Sequence, residues 1–223
     1  MKKYLRVLRE CPLFHGIGDE NILKMLGCLG ARVLSYKKKD TVFAEGSVAG
    51  LIGIVLSGAV QMIELDYNGN RSILSTFGAG ELFAEEFACA DVGQLPVSAV
   101  ADAPSEIMLI ESSHIMHTCS SACSFHGDMI YNLVKAVANK CVGFHRRIEA
   151  TSKRTTRDKL LTYLMLEARR CGSQSFTIPY DRQELADYLE VDRSGLSSEI
   201  SKLRREGIIE CEKSRFKIKR SLY

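Results

Sequence analysis

Thiol and imidazole side chains are concentrated in one short stretch of this 223-residue chain. Cys119, Cys123 and His126 are spaced as C-x3-C-x2-H, and His114 and His117 stand just before them. Thiolates and imidazoles are common ligands of zinc, and a thiol beside a histidine can be activated. The spacing does not match the C-x2-C pair of a zinc knuckle. Two interpretations stay open: a metal or thiol-redox sensor that uses Cys119, Cys123 and His126, or residues that pack and cap.

Two adjacent carboxylates, Glu85 and Glu86, are the other candidate for chemistry. Paired carboxylates can share general acid and general base roles. Adjacent residues of a helix point in different directions, however, and no nucleophile or metal motif accompanies this pair. We therefore expect a protein that is not an enzyme, with no catalytic residue; the sequence requires no cofactor and identifies none.

The composition is that of a globular protein, with 46% hydrophobic and 26% charged residues. No apolar run approaches the roughly 20 residues that a membrane span needs. The N-terminus lacks the apolar segment of a secretory signal. These features predict a cytoplasmic protein without a membrane partner, in which the eight cysteines are reduced thiols packed in the core.

Residues 181–206 have the pattern of two short helices separated by a tight break. Asp181 can cap the first helix in a capping box with Glu184, and Asp192 can cap the second. The second helix has one apolar stripe, formed by Leu196, Ile200 and Leu203. The pattern predicts a helix-turn-helix, in which the second helix, residues 193–206, enters the major groove of double-stranded DNA.

Positive charge is concentrated at the same end of the chain. Residues 151–223 carry 16 Lys and Arg against 11 Asp and Glu, whereas residues 1–150 carry 14 against 16. After the second helix, two short strands around Lys213-Ser214 predict a β-wing. Alternation places three basic residues on one face of it, namely Arg215, Lys217 and Lys219. Contact with DNA phosphates is the expected role of this face.

The preceding part of the chain, from residue 31 to 110, alternates short β-prone runs with turn signals. The predicted strands are Arg32–Tyr36, Thr41–Ala44, Ile52–Leu56, Ala59–Leu65, Arg71–Phe77, Val97–Ala101 and Glu106–Ile110. Asn68-Gly69 is the strongest hairpin signal, and Glu81–Cys89 has the pattern of a short helical insert. The spacing of these runs predicts a small antiparallel roll or barrel.

A long amphipathic helix is predicted to follow the roll, from about residue 124 to 150. Its apolar positions recur at steps of three and four: Ile130, Leu133, Val137, Cys141, Phe144 and Ile148. An apolar stripe along a predicted helix of nearly four heptads favours a seam between two parallel helices of a homodimer. The alternative is that the stripe packs on the chain's own roll.

The order of roll, long helix and winged helix-turn-helix resembles that of the CRP/FNR family of bacterial transcription regulators. The resemblance rests on GELFAEEFACA at 80–90, PVSAV at 96–100 and IPYDRQELADYLEVDRSGLSSEISKLRREGII at 178–209. It implies a homodimer that binds a palindromic promoter site, responds to a signal sensed by its N-terminal domain and works with RNA polymerase. The cysteines do not match the N-terminal cluster of the family's iron–sulfur proteins.

The resemblance implies an α+β fold in three parts. Residues 1–120 are expected to form an effector-sensing antiparallel β-roll of the cyclic-nucleotide-binding-like (cupin-like) kind. Residues 121–150 are expected to form the long dimerisation helix. Residues 151–223 are expected to form the winged helix-turn-helix, joined by the polar hinge TSKRTT at 151–156.

The resemblance also places an effector pocket in the roll, and the residues that line it depart from the cyclic AMP binders. The family's glycine and phosphate-binding arginine are replaced by Ala84 and Val97, whereas Glu85 keeps the ribose-binding acid. The full expected set is Glu81, Leu82, Phe83, Ala84, Glu85, Val97, Ser98 and Phe144. A buried phosphate without its cation is costly, so we expect an unknown small-molecule effector other than cyclic AMP.

The recognition helix departs from the family pattern as well. Arg193 matches the first base-reading arginine, but Ser194 and Ser198 stand where Glu and a second Arg are usual, and Glu190 replaces the glycine of the turn. The expected DNA contacts are Arg182, Gln183, Arg193, Ser194, Ser197, Ser198, Ser201, Lys202, Arg215, Lys217 and Lys219. The alternatives are the metal or redox sensor described above and a ligand-binding regulatory module without DNA contact.

Overall fold

The computed structural model describes residues 1–65, 71–117 and 125–219. The chain divides into two compact units, residues 1–138 and 139–223. Helix α5 (His126–Thr151) begins in the first unit and ends in the second. Within the described residues, no helix is both long and apolar enough to cross a membrane.

The first unit begins with two helices, α1 (Leu5–Glu10) and α2 (Asp19–Cys28). Its described residues contain two four-stranded antiparallel sheets, ordered β1-β8-β3-β6 and β2-β7-β4-β5. The strands are β1 (Arg32–Tyr36), β2 (Thr41–Phe43), β3 (Leu51–Ser57), β4 (Val60–Leu65), β5 (Arg71–Phe77), β6 (Leu82–Phe83), β7 (Ser98–Ala101) and β8 (Ser105–Glu111). Short helices α3 (Glu85–Cys89) and α4 (Ser112–Met116) complete the unit.

The sheets confirm the predicted roll and correct one detail of it. The predicted helical insert 81–89 is divided, because Leu82–Phe83 pairs with β3 as a strand and the helix begins only at Glu85. Apolar residues at 82 and 83 are both buried between layers, which a surface helix would not allow. The turn Asn68-Gly69 lies outside the described residues.

The second unit consists of the end of α5 followed by a compact winged helix-turn-helix. Its helices are α6 (Thr156–Cys171), α7 (Arg182–Leu189) and α8 (Arg193–Arg205). A three-stranded antiparallel sheet, ordered β10-β11-β9, is built from β9 (Ser175–Thr177), β10 (Ile209–Glu212) and β11 (Arg215–Ile218). The elements match the α+β expectation from the sequence.

The cysteines do not follow the expectation of core thiols. Of the six in the described residues, Cys11 is buried, whereas Cys28, Cys141 and Cys171 are exposed and Cys89 and Cys211 are half-buried. Helix amphipathicity explains the difference, since the exposed thiols fall on outward positions of α2, α5 and α6.

Candidate nucleic-acid interface and effector site

The first helix of the helix-turn-helix is fixed at its N-terminus by a complete capping box. The Asp181 side chain accepts a hydrogen bond from Glu184 N (2.9 Å), and the Glu184 carboxylate accepts one from Asp181 N (2.7 Å). Leu185, Ala186 and Leu189 are buried behind this cap. The cap therefore fixes where α7 begins, and with it the position of the turn that precedes α8.

Helix α8 buries one face and exposes the other. Asp192 caps it by accepting a hydrogen bond from Gly195 N (2.9 Å), and the Ser194 hydroxyl also donates to this carboxylate. The buried face consists of Leu196, Ile200 and Leu203. The predicted contact residues of this helix are all exposed, namely Arg193, Ser194, Ser197, Ser198, Ser201 and Lys202. They form a polar face on the first three turns of a rigidly held helix.

Two of these side chains already have partners in the helix. The Ser201 hydroxyl donates to Ser197 O (2.9 Å), and Lys202 Nζ lies 2.5 Å from a Glu199 oxygen. Arg193, by contrast, makes no ion pair with any residue that the structure describes. It is thus the cation at the start of α8 that is available to a base edge.

Arg182 of α7 holds the wing instead of pointing away from the protein. Its Nη2 donates to Lys213 O (2.9 Å) and lies 2.7 Å from Cys211 Sγ. Its guanidinium also lies 5.2 Å above the ring of Phe216. These contacts join α7 to the β-turn at the tip of the wing. The sequence predicts Arg182 as a DNA contact, and in this structure one of its guanidinium nitrogens is bound to the wing.

The wing exposes the three predicted basic residues on one face, but acidic residues share that face. Glu210 and Glu212 lie opposite Lys217 and Arg215 in the register of β10 and β11. Lys219 Nζ is 2.5 Å and Lys217 Nζ is 3.9 Å from the Glu210 carboxylate. The two lysines lower the pKa of Glu210, chiefly through the hydrogen bond from Lys219. The positive charge of this face of the wing is therefore partly neutralised by its own acidic residues.

The interior of the roll is filled by side chains that the sequence assigns to an effector pocket. The Phe83 ring lies against Phe43 and Phe77, at centroid distances of 5.5 and 6.0 Å. A Cβ at Gly53 would come within 2.1 Å of Phe83 Cζ, so the ring uses the space that this glycine leaves. The predicted pocket residues Leu82, Phe83, Ala84 and Val97 are all buried in the cores of this unit.

Ala84, which stands where the resemblance expects a glycine, has a backbone conformation that favours glycine. Its φ of 64° and ψ of 5° are left-handed, and the residue is completely buried. An alanine in this region costs about 1 kcal/mol relative to its ordinary conformations. Ala84 thus has a backbone conformation that glycine adopts at lower cost.

The remaining polar residues of the predicted pocket are engaged within the protein. The Ser98 hydroxyl accepts a hydrogen bond from Glu45 N (3.0 Å), and Glu81 accepts one from Gly78 N (2.6 Å). Glu85 is fully buried. Phe144 belongs to the second unit and is 49% exposed.

Glu85 lies within electrostatic range of two thiols. Burial raises the pKa of Cys11 to about 12, and the negative charge of Glu85 adds to the shift. The pKa of Cys89 is raised for the same two reasons, with burial first and Glu85 second. Cys11 belongs to the core cluster that contains the N-terminal helices.

The long helix α5 uses part of its apolar stripe within its own unit. Leu133 is buried against the N-terminal helices, and Ile130 and Val137 are half-buried, which corrects the prediction that Leu133 belongs to a dimer seam. Asn132 anchors the same face by donating to Leu13 O (3.2 Å) and His15 O (2.8 Å). The other predicted seam residues, Cys141, Phe144 and Ile148, are exposed.

A second apolar line on α5 is exposed along its length. Tyr131, Val134 and Ile148 are 66%, 62% and 63% exposed, and Cys141 lies between them. These residues follow steps of three and four if Ala138 and His145 are included, as in a heptad seam. Sequence periodicity alone did not separate this line from the one that Leu133 occupies.

The candidate metal or redox site lies mostly outside the described residues, since Cys119 and Cys123 do. The three nearby histidines are among the described residues, and each contacts a backbone carbonyl. His126 Nε2 is 2.8 Å from Ile115 O and buried, His114 Nδ1 is 3.0 Å from Leu29 O, and His117 Nδ1 is 3.0 Å from Ser113 O. Within the described residues, no group of three metal-binding side chains converges.

Comparison with known proteins assigns both units to described domains. Residues 33–122 match the cyclic nucleotide-binding domain, and residues 158–220 match the Crp-like helix-turn-helix domain. A cyclic AMP receptor protein of Thermus thermophilus is 29% identical over 103 residues, 46% of each chain. The transcriptional activator FnrL of Cereibacter sphaeroides is 33% identical over 72 residues, 28% of this chain and 29% of FnrL. These alignments span about half or less of the relatives' length.

Solved structures support the same fold. The c-di-GMP responsive global regulator CLP of Xanthomonas campestris has a TM-score of 0.61 at 18% identity, over 92% of this chain and all of CLP. The catabolite activator protein of Thermus thermophilus has a TM-score of 0.50 at 23% identity, over 93% of both chains. At these identities the likeness concerns the fold, and the matched domains carry the assignment. The chain belongs to the CRP/FNR family of DNA-binding transcription regulators.

Proposed function

We propose that this regulator acts as a homodimer that binds a palindromic promoter site through the exposed face of α8. The observation that carries the proposal is Arg193, an exposed arginine in the first turn of a helix whose opposite face is buried and whose N-terminus is capped. The N-terminal residues of a recognition helix are the ones that reach base edges in the major groove. Arginine can bind guanine through two hydrogen bonds there.

The proposed site differs from that of relatives with a charged first turn. Ser194 stands beside Arg193, and its hydroxyl is turned to Asp192. Ser198 follows one helical turn later and is exposed. Short hydroxyl side chains accept or donate to several bases, whereas a glutamate would select cytosine. We therefore expect one strongly read base pair per half-site, at Arg193, flanked by positions of weaker preference.

The dimer is proposed to form along the exposed line of α5, that is Tyr131, Val134, Cys141 and Ile148. Exposed apolar side chains in a contiguous line are typical of a protein–protein contact. A parallel helix pair would place two copies of the second unit side by side, as a two-fold palindrome requires. RNA polymerase is the further partner that membership of the family suggests at a promoter.

A gel-shift assay with DNA from upstream of the protein's own gene tests the proposal. Retarded DNA in the presence of excess non-specific competitor, protected over two half-sites about 34 Å apart, would support it. If excess competitor DNA instead abolishes the binding completely, the protein has only the non-specific attraction of a basic surface for DNA. This outcome would favour the alternative of a regulatory module without sequence-specific DNA contact.

The effector is proposed to differ from cyclic AMP. Val97 offers no positive charge to a buried cyclic phosphate, and Phe83 occupies the interior of the roll next to Ala84. Isothermal titration with cyclic AMP is expected to give no heat of binding at micromolar ligand concentrations, because an unneutralised buried phosphate costs several kcal/mol. Micromolar or tighter binding would refute this prediction.

Glu210 on the wing is expected to reduce the affinity of the protein for DNA. Replacing Glu210 with glutamine frees Lys217 and Lys219 for phosphates, so affinity for specific and non-specific DNA should both rise about two- to fivefold at low salt. The salt slope of the affinity should steepen, and Glu212→Gln provides a matched control with a smaller effect. Unchanged binding by Glu210→Gln would show that the wing does not approach the DNA.

A further inference from the structure

The turn between α7 and α8 contains a glutamate in a conformation that favours glycine. Glu190 has φ 53° and ψ 55°, in the left-handed region, where non-glycine residues are uncommon. Its side chain is 63% exposed, so packing in a core does not require it. Neither the backbone nor burial therefore explains a carboxylate at this position.

Two cations from two different helices converge on this turn. Arg147, near the end of α5, lies with Nη2 3.8 Å from the Glu190 carboxylate and with its guanidinium 5.4 Å above the ring of Tyr188. Lys159 of α6 donates to Leu189 O (3.1 Å) and Glu190 O (3.2 Å). Cations at the C-terminal end of a helix also interact favourably with its dipole.

The aromatic surface under Arg147 is held in place from two sides. The ring centroid of Tyr188 lies 5.0 Å from that of Tyr180 and 5.3 Å from that of Tyr163. Tyr163 is buried in α6 and only 3% exposed. The Arg147 side chain, 30% exposed, therefore packs on a fixed ring and needs little reorganisation to reach the turn.

The two cations depend on the residue at position 190 in different ways. Lys159 binds backbone oxygens, which any residue in this turn would present. Arg147 binds the carboxylate, which only an acidic residue supplies. The identity of the side chain at 190 consequently controls the link between the turn and α5, and leaves the link to α6 unchanged.

We propose that Glu190 is a positioning residue whose carboxylate, bound to Arg147, sets the orientation of the recognition helix relative to the C-terminal half of α5. Helix α8 begins three residues after Glu190, which leaves little chain to absorb a change of angle. The inference rests on the proposed function, since that half of α5 carries part of the dimer seam. Fixing α8 to it sets the distance between the two recognition helices of a dimer.

The test measures how strictly the protein selects the spacing of two half-sites. Affinity is determined for a palindrome of optimal spacing and for palindromes with one base pair inserted or removed. In Glu190→Gln, which keeps the backbone strain and the size of the side chain, affinity for the optimal site should fall about tenfold. This corresponds to about threefold for each of two surface ion pairs. The preference between spacings should shrink. Asp187→Asn, which changes an exposed carboxylate on α7, is the control.

A purely structural role of Glu190 would give a different pattern. Glu190→Gly relieves the strain of the left-handed backbone, so the unfolding temperature of this variant should not fall. Its preference for one half-site spacing should nevertheless be lost. If Glu190 were only structural, the stability of the variant and its affinity for DNA would fall together. The double variant Arg147→Glu/Glu190→Arg, in which the two charges are exchanged, should bind the optimal palindrome more tightly than either single variant. Wild-type spacing preference in Glu190→Gln would overturn the inference. If the wild type selects no palindrome at all, the proposed function fails instead.

Discussion

Replacing Ile148 with aspartate is expected to convert the protein from a dimer to a monomer and to weaken binding to a palindromic site about 100-fold or more. Ile148 is 63% exposed at one end of the proposed seam, and in a parallel helix pair it would face its own copy. Two carboxylates would then meet in an apolar contact. Loss of the dimer removes the gain from two linked half-sites, which is commonly at least about 100-fold.

Sedimentation velocity and a shift assay on the same protein preparation measure the two effects together. Ile73→Asp is the matched control, because Ile73 is 53% exposed on β5 and undergoes the same chemical change on an element other than α5. The control should remain dimeric and bind normally. A dimeric Ile148→Asp variant would refute the seam, and a monomeric variant with unchanged affinity would refute the need for a dimer.

The seam also shows what helical periodicity can and cannot predict. Apolar residues at steps of three and four on α5 correctly indicate a long amphipathic helix. Periodicity does not say which surface covers a stripe, and Leu133 is covered by the chain's own N-terminal helices. The line through Tyr131 and Val134 is less hydrophobic in sequence, and only its exposure in the structure distinguishes it.

The wing illustrates a similar limit for strands. Alternation along one strand correctly places Arg215, Lys217 and Lys219 on one face. The charge of that face also depends on the neighbouring strand, whose register places Glu210 opposite Lys217. Register is a property of the folded hairpin, so counting charges along one strand overestimates the attraction of this face for phosphate.

Sequence predictions were more reliable for contacts between residues that are close together in the chain. The capping box at Asp181, the second cap at Asp192 and the left-handed position of Glu190 involve residues within three or four positions of one another. The two caps were evident from residue types alone, whereas the left-handed backbone at Glu190 was indicated only by the resemblance, in which a glycine is usual at this turn. The role of Arg182 was not, because its partners Cys211 and Lys213 are about thirty residues away and meet it only in the folded unit.

Replacing Arg193 with alanine is expected to lower affinity for the specific palindrome at least about 30-fold and to leave non-specific binding nearly unchanged. Each copy of a bidentate arginine–guanine contact contributes about 1–3 kcal/mol of discrimination, and a dimer has two such copies. Arg193 is exposed, lies in the first turn of α8 and has no ion-pair partner among the described residues. Its removal should therefore affect the base contact more than the fold.

Shift assays over a range of salt concentrations separate this effect from general electrostatic attraction. Arg205→Ala is the matched control, since Arg205 is exposed in the last turn of the same helix and the charge change is identical. Arg205→Ala and Lys217→Ala should weaken specific and non-specific binding by similar factors, and each should reduce the salt slope by about one unit for every phosphate that the variant no longer binds. Arg193→Ala should also lose discrimination at a single base-pair position, which the other variants retain. Equal reductions in affinity for specific and non-specific DNA in Arg193→Ala would show that the helix contacts the backbone alone.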